Sequence, residues 1–100
     1  MSHYAVGFTT VTDPSWVGAY LAEVHTMVER HGGRYLSRTG EIAALEGDAP
    51  QTVVIIEWPS EEAARAFYDS DEYRAHREAR IAGGENQFLL VPGGDAFRSA

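Results

Sequence analysis

The sequence predicts an α+β domain with the element order β-α-β-β-α-β, built on a four-stranded antiparallel sheet with its helices on one face. Three observations carry this. Four short segments are rich in β-branched and aromatic residues. The stretches after the first and third of them place apolar residues at helical spacing. Gly, Pro and Asp clusters mark the boundaries between them. A chain of 100 residues is enough for one domain and not for two, so residues 1–93 are expected to form a single unit. Residues 94–100 have no periodicity and are expected to form a flexible tail, on which Phe97 is a candidate to dock.

The first strand spans Tyr4 to Val11 and stops at Thr12-Asp13-Pro14. Asp13 can accept from a free N–H of the first helical turn, and Pro14 at the first position loses no needed donor, so a helix starts here and runs to about His31. Val17, Tyr20, Leu21, Val24, Met27 and Val28 form one apolar stripe along it. Gly32-Gly33 ends it, because glycine reaches the left-handed conformation without steric cost. The second strand covers Arg34 to Arg38, breaks at Thr39-Gly40 and is expected to resume over Glu41 to Leu45. The third, Gln51 to Trp58, follows a turn cluster at Gly47-Asp48-Ala49-Pro50, and a short loop is expected to join the two as a hairpin. Ser60 caps the next helix, with Glu61 and Glu62 in its first turn. Asp69-Ser70-Asp71 divides this region into two helices, the second spanning about Asp71 to Ala82. Phe88 to Val91 is the last strand, closed by Pro92-Gly93-Gly94.

The strands carry a further implication. A sheet with one face in water alternates apolar and polar residues. Here the third strand reads Val53-Val54-Ile55-Ile56 and the last reads Phe88-Leu89-Leu90-Val91, without alternation. Both faces look buried, yet the chain has no segment left to cover the second. A second copy is therefore expected to cover it, giving a homodimer that pairs face to face.

Composition limits the chemistry. Asp and Glu total 15 against 8 Arg, for a net charge of -7, and there is neither Cys nor Lys. The absence of Cys removes disulfides, thiolate zinc sites, thiol nucleophiles and CxxC redox pairs. The absence of Lys removes Schiff-base chemistry and the P-loop. The acidic balance argues against nucleic acid as a partner, since phosphate neutralisation supplies most of that affinity. No apolar run is long enough to cross a bilayer, and no targeting signal opens the sequence, so a cytoplasmic protein without a membrane partner is expected.

A set of residues in order then carries a resemblance: Asp13-Pro14, His31-Gly32-Gly33-Arg34-Tyr35-Leu36, Glu46-Gly47-Asp48, Glu57-Trp58-Pro59-Ser60, Glu62-Ala63-Ala64-Arg65-Ala66-Phe67-Tyr68, Ser70, Tyr73 and Arg80. Over about residues 3 to 93 the chain resembles the family called Domain of Unknown Function 1330, of the dimeric α+β barrel superfamily. The resemblance implies ferredoxin-like monomers that pair through their sheets. It implies no single activity. The wider superfamily holds cofactor-free monooxygenases of antibiotic biosynthesis, muconolactone isomerases and haem-dependent enzymes, and function belongs to the site and not to the fold.

With Cys and Lys gone, the candidate groups are carboxylate, imidazole, phenol and guanidinium. Glu57 shares a strand face with Val53 and Ile55, where desolvation raises a carboxyl pKa and suits it to proton transfer; the alternative is that it faces water or pairs with an Arg. Tyr73, His76, Arg77 and Arg80 share a helix face. There His76 is a candidate acid or base, with Tyr73 and Arg80 holding a small anionic or carbonyl-bearing compound. The alternative is ordinary surface pairing, Glu72–His76–Arg80 and Arg74–Glu78. Glu46 either points into a cavity or bonds its turn, and Trp58 is core or pocket wall. Gly7 leaves room for a ligand or for a large neighbour such as Trp16 or Trp58. Ser70 reads as a helix cap and not a nucleophile. Pairs such as His25–Glu29 have helical metal spacing, but a site needs three or four ligands, so neither a metal nor another cofactor is expected. Two functions fit: a cofactor-free isomerase, cyclase or monooxygenase acting on a small aromatic or carbonyl compound, or a non-catalytic dimer that binds a metabolite or assists another enzyme.

Overall fold

The structure, a computed structural model, describes residues 2–98; Met1 and the last two residues of the expected tail lie outside them. The chain forms β1 (His3–Val11), a 3-10 turn (Pro14–Trp16), α1 (Val17–Arg30), β2 (Arg34–Thr39), β3 (Thr52–Trp58), α2 (Glu61–Tyr68), α3 (Asp71–Ala82) and β4 (Gly84–Pro92). The sheet order is β2-β3-β1-β4 with every neighbouring pair antiparallel. This is the ferredoxin-like α+β arrangement, with the second helical region divided in two.

Local chemistry sets the boundaries. Asp13 accepts from the Ser15 N–H at 3.0 Å and starts the 3-10 turn that leads into α1. Gly32 ends α1 with φ of 90°, a conformation that side-chain-bearing residues rarely adopt. Ser60 accepts from Ala63 N–H at 3.1 Å and Ser70 from Tyr73 N–H at 3.3 Å, capping α2 and α3 as their sequences indicate. The Trp16 indole donates to the Gly83 carbonyl at 3.0 Å, tying the entry of α1 to the end of α3.

Three expectations are corrected. Residues 41–45 are not a strand, because β3 begins only at Thr52 and offers them no partner; the connection between β2 and β3 is accordingly long, covering residues 40–51. Strand β4 begins at Gly84 instead of Phe88, because β1 pairs along its whole length, from His3 opposite Pro92 to Val11 opposite Gly84. Phe97 does not dock; it is fully exposed.

Register and strand alternation put Ala5, Gly7, Thr9, Val54, Ile56, Trp58 and Phe88 on the helix side of the sheet. The core gathers there: Val24 and Val28 of α1, Ile56 and Trp58 of β3, Ala64 and Phe67 of α2, and Tyr73 of α3. Trp58 stacks on Phe67 with ring centroids 5.4 Å apart. Gly7 does make room for a large neighbour, but the neighbour is Phe88: a Cβ at this position would lie 2.4 Å from its ring. Tyr4, Val6, Phe8, Val53, Ile55, Leu89 and Val91 fall on the opposite side, which none of the described helices covers. Among the described residues no helix is long and apolar enough to cross a membrane.

Candidate functional site

Between the sheet and the helices lies a cavity of about 660 Å³. Its walls are mostly apolar, with Val24 and Val28 on one side and Val54, Ile56 and Trp58 on the other. Three of its polar groups come together from two helices. Tyr20 of α1 and Tyr73 of α3 face one another with their phenol oxygens 2.6 Å apart. Arg80, two turns along α3 from Tyr73, donates from Nη2 to the Tyr73 hydroxyl at 3.4 Å and lies over the Phe88 ring, 4.2 Å from its centre. All three residues border the cavity.

Position explains their electrostatics. Burial, reinforced by the neighbouring Tyr73 phenol, pushes the Tyr20 hydroxyl far above its usual range, so it stays protonated at any physiological pH. Burial also raises Tyr35, which borders the cavity from β2 beneath the Arg38 guanidinium, 4.5 Å from the ring centre. Burial works against the charge on Arg80, but the adjacent Tyr73 and Tyr20 oxygens outweigh it and hold the guanidinium protonated.

The residues singled out from the sequence separate into groups. Trp58, Tyr73 and Arg80 meet at the cavity. His76 is half-buried behind Tyr20, with its ring edge-on at 6.1 Å and its Nε2 3.5 Å from Glu23; it does not border the cavity. Arg77 turns toward the Tyr68 ring and carbonyl. Glu57 lies on the uncovered face of the sheet, where the expected upward shift is reversed. The Arg34 guanidinium, 2.6 Å from its carboxylate, holds Glu57 below the usual carboxylate range, with the Tyr4 hydroxyl adding a bond at 3.4 Å. Of the two readings of Glu57, the ion pair is the one found. Glu46 is exposed in the loop between β2 and β3, away from the cavity. The surface pairings also differ from those expected. Glu72 reaches across to Arg30 at 2.5 Å, Arg74 pairs with Asp71 at 3.0 Å, and Arg80 is buried, so it takes no part in a surface ladder.

Tyr20 was not singled out, because its place in an apolar stripe is how core tyrosines read. The usable signal was its spacing from Trp16, which puts two aromatic rings with polar edges on the inner face of one helix; the rings meet edge to face at 5.3 Å. Among the described residues no group of three His, Asp or Glu is placed to hold a metal ion.

Comparison with known proteins fits this architecture. Residues 2–94 match the model of the family described as Domain of unknown function (DUF1330). The chain belongs to that family. Its fold is similar to that of a protein of unknown function from Rhodopseudomonas palustris, at 17% identity over 94% of this chain and 83% of that one, with a TM-score of 0.78. It is also similar to SnoaB, a cofactor-independent oxygenase from Streptomyces nogalater, at 17% identity over 98% of each chain and a TM-score of 0.68. A Streptomyces coelicolor monooxygenase solved with the ligand nanaomycin D is 25% identical over 98% of this chain and 92% of that one, with a TM-score of 0.55. No curated protein matches the chain.

Proposed function

We propose that this DUF1330 protein binds a small, largely apolar compound bearing an aromatic ring or carbonyl group in the cavity between sheet and helices. The observation that carries this is the Tyr20–Tyr73–Arg80 set at the edge of a mostly apolar cavity of about 660 Å³, whose lining also takes in Arg38, Arg65 and Asp69. That volume is in the ordinary range for small-molecule sites, in which a few convergent polar groups fix orientation. Phenol O–H and guanidinium N–H groups at one point polarise a carbonyl oxygen and stabilise charge developing on it. Cofactor-free isomerisation, cyclisation or oxygenation is the reading supported by the oxygenase and monooxygenase among the similar structures. Binding without turnover is supported by a different observation: neither Glu57 nor His76, the two candidate bases, borders the cavity. In the catalytic reading His76 is a positioning residue behind Tyr20.

A second copy of the chain covering the uncovered sheet face completes the proposal. The support is the apolar set from Tyr4 to Val91 on that face, where Leu89 and Val91 are 47% and 41% exposed. Sedimentation of the protein at micromolar concentration should give the mass of a dimer, and a monomer overturns this part.

The chain contains two tryptophans, and both Trp16 and Trp58 border the cavity, so intrinsic fluorescence reports on it directly. Titration with 1,4-naphthoquinone should quench that emission to saturation, and chromatography of the mixture separates turnover from binding. Quenching that rises linearly without saturating counts against the cavity as a ligand site.

A further inference from the structure

We infer that the natural ligand is an anion, and that Arg80 is placed to receive the carboxylate of a small acid whose apolar body fills the cavity. The inference rests on the cavity reading above and specifies the ligand's charge.

The observation is an arginine without a counter-charge. Arg80 is 2% exposed. Its Nε is buried and has no hydrogen-bond partner, and its one hydrogen bond to another side chain is the 3.4 Å contact with the Tyr73 hydroxyl. Among the described residues, no Asp or Glu oxygen lies within 4.0 Å of its guanidinium. The other arginines show the contrast. Arg30, Arg34, Arg65 and Arg74 each have a carboxylate within that distance and are exposed, and half-buried Arg77 has Asp69 at 3.9 Å. Arg38 also lacks a carboxylate within that distance, but it is exposed to water, whereas water is excluded from Arg80. Buried charges are normally paired, because desolvation is costly without a compensating partner.

Nothing among the described residues supplies that charge. Phe88 offers a ring face, which compensates a cation only in part. Burial keeps the Tyr20 phenol protonated, so it supplies no negative charge. In the Tyr20–Tyr73 bond one hydroxyl donates and the other accepts, which leaves the accepting group's own O–H free to donate. The free hydrogens at this corner thus include the Arg80 Nε–H and one phenol O–H. A carboxylate is an acceptor-only group, and guanidinium and carboxylate match in shape as well as in charge.

The test uses two probes of one shape, 2-naphthoate and its neutral amide 2-naphthamide, with affinity measured by calorimetry on the native protein. The acid should bind about tenfold or more tightly than the amide, the range of a charge-assisted bond. In Arg80→Gln the preference should disappear, and in Arg80→Lys, which keeps the charge but not the planar fork, it should be reduced. The acid-against-amide comparison on the native protein decides the matter even if the Gln variant fails to fold. Equal binding of the two probes, or preference for the amide, overturns this inference and leaves the cavity reading standing. No binding of either probe at millimolar concentration counts against both.

Discussion

The two faces of the sheet draw on similar residues and treat charge in opposite ways. On the helix side Trp58, Ile56 and Phe88 line up with Arg80, which is 2% exposed and has no carboxylate beside it among the described residues. On the other side Tyr4, Val6 and Ile55 line up with Glu57, whose partner Arg34 has 72% of its side chain in solvent. The paired arginine is the one that least needs a partner. An ion pair at a wet rim needs no explanation beyond solubility and register, and contributes little. A buried guanidinium on α3 has no such partner among the described residues. The helix side thus encloses a cavity, and the other side leaves an apolar sheet face uncovered by the described helices.

Three substitutions sharpen that contrast. Trp58→Ala should have the largest effect. It removes a side chain that is 1% exposed and stacked on Phe67, and should destabilise the fold by about 3–5 kcal/mol in urea denaturation. A loss below 1 kcal/mol, about the size of one hydrogen bond, would mean that the helix side is far looser than its packing indicates.

Tyr20→Phe should cost about 1 kcal/mol at neutral pH, the scale of one lost hydrogen bond. It also has a pH signature. Because burial raises the folded-state pKa, the Tyr20 contribution is fully present below the unfolded value of 10.0 and is lost as pH rises above it. The native protein should therefore lose more stability than the Phe variant between about pH 8 and about pH 11 in paired urea titrations. Parallel decline in the two proteins would show Tyr20 to be solvated.

Glu57→Gln should have the smallest effect, with the neutral-pH midpoint essentially unchanged. Arg34 lowers the folded-state pKa of Glu57, so its contribution is present above the ordinary value of 4.5 and fades as pH falls through the lowered one. The acid limb, followed by circular dichroism, should be slightly less steep in the variant. A large loss at neutral pH would show that this rim pair is held away from solvent, as a close-fitting second copy would hold it.

The fold was legible because its signals are local. Asp13-Pro14, Gly32, Ser60 and Ser70 each terminate an element through contacts within a few residues, and each does so in the structure. The misread strands depend on partners. Residues 41–45 carry strand-like residues with nothing opposite them, whereas Glu85, Asn86 and Gln87 look polar and join β4 because β1 is waiting beside them. The site was half legible for the same reason. Tyr73 and Arg80 share a helix and could be paired by spacing, but Tyr20 lies 53 residues from Tyr73, and no local pattern shows that their oxygens meet. Glu57 was placed on the correct face, while its charge state depended on Arg34, a neighbour across the ladder.

The short edge strand has a consequence of its own. β2 spans six residues, shifts register between Tyr35 and Ser37, and exposes Arg34 and Arg38 along an open margin of the sheet. A long, flat, apolar margin is a template onto which further chains can add, the first step toward fibrils. The irregularity twists this margin, and its two like charges repel an identical strand laid against it. Growth strand by strand along this margin is thereby discouraged, even beside a sheet face with this much uncovered apolar surface.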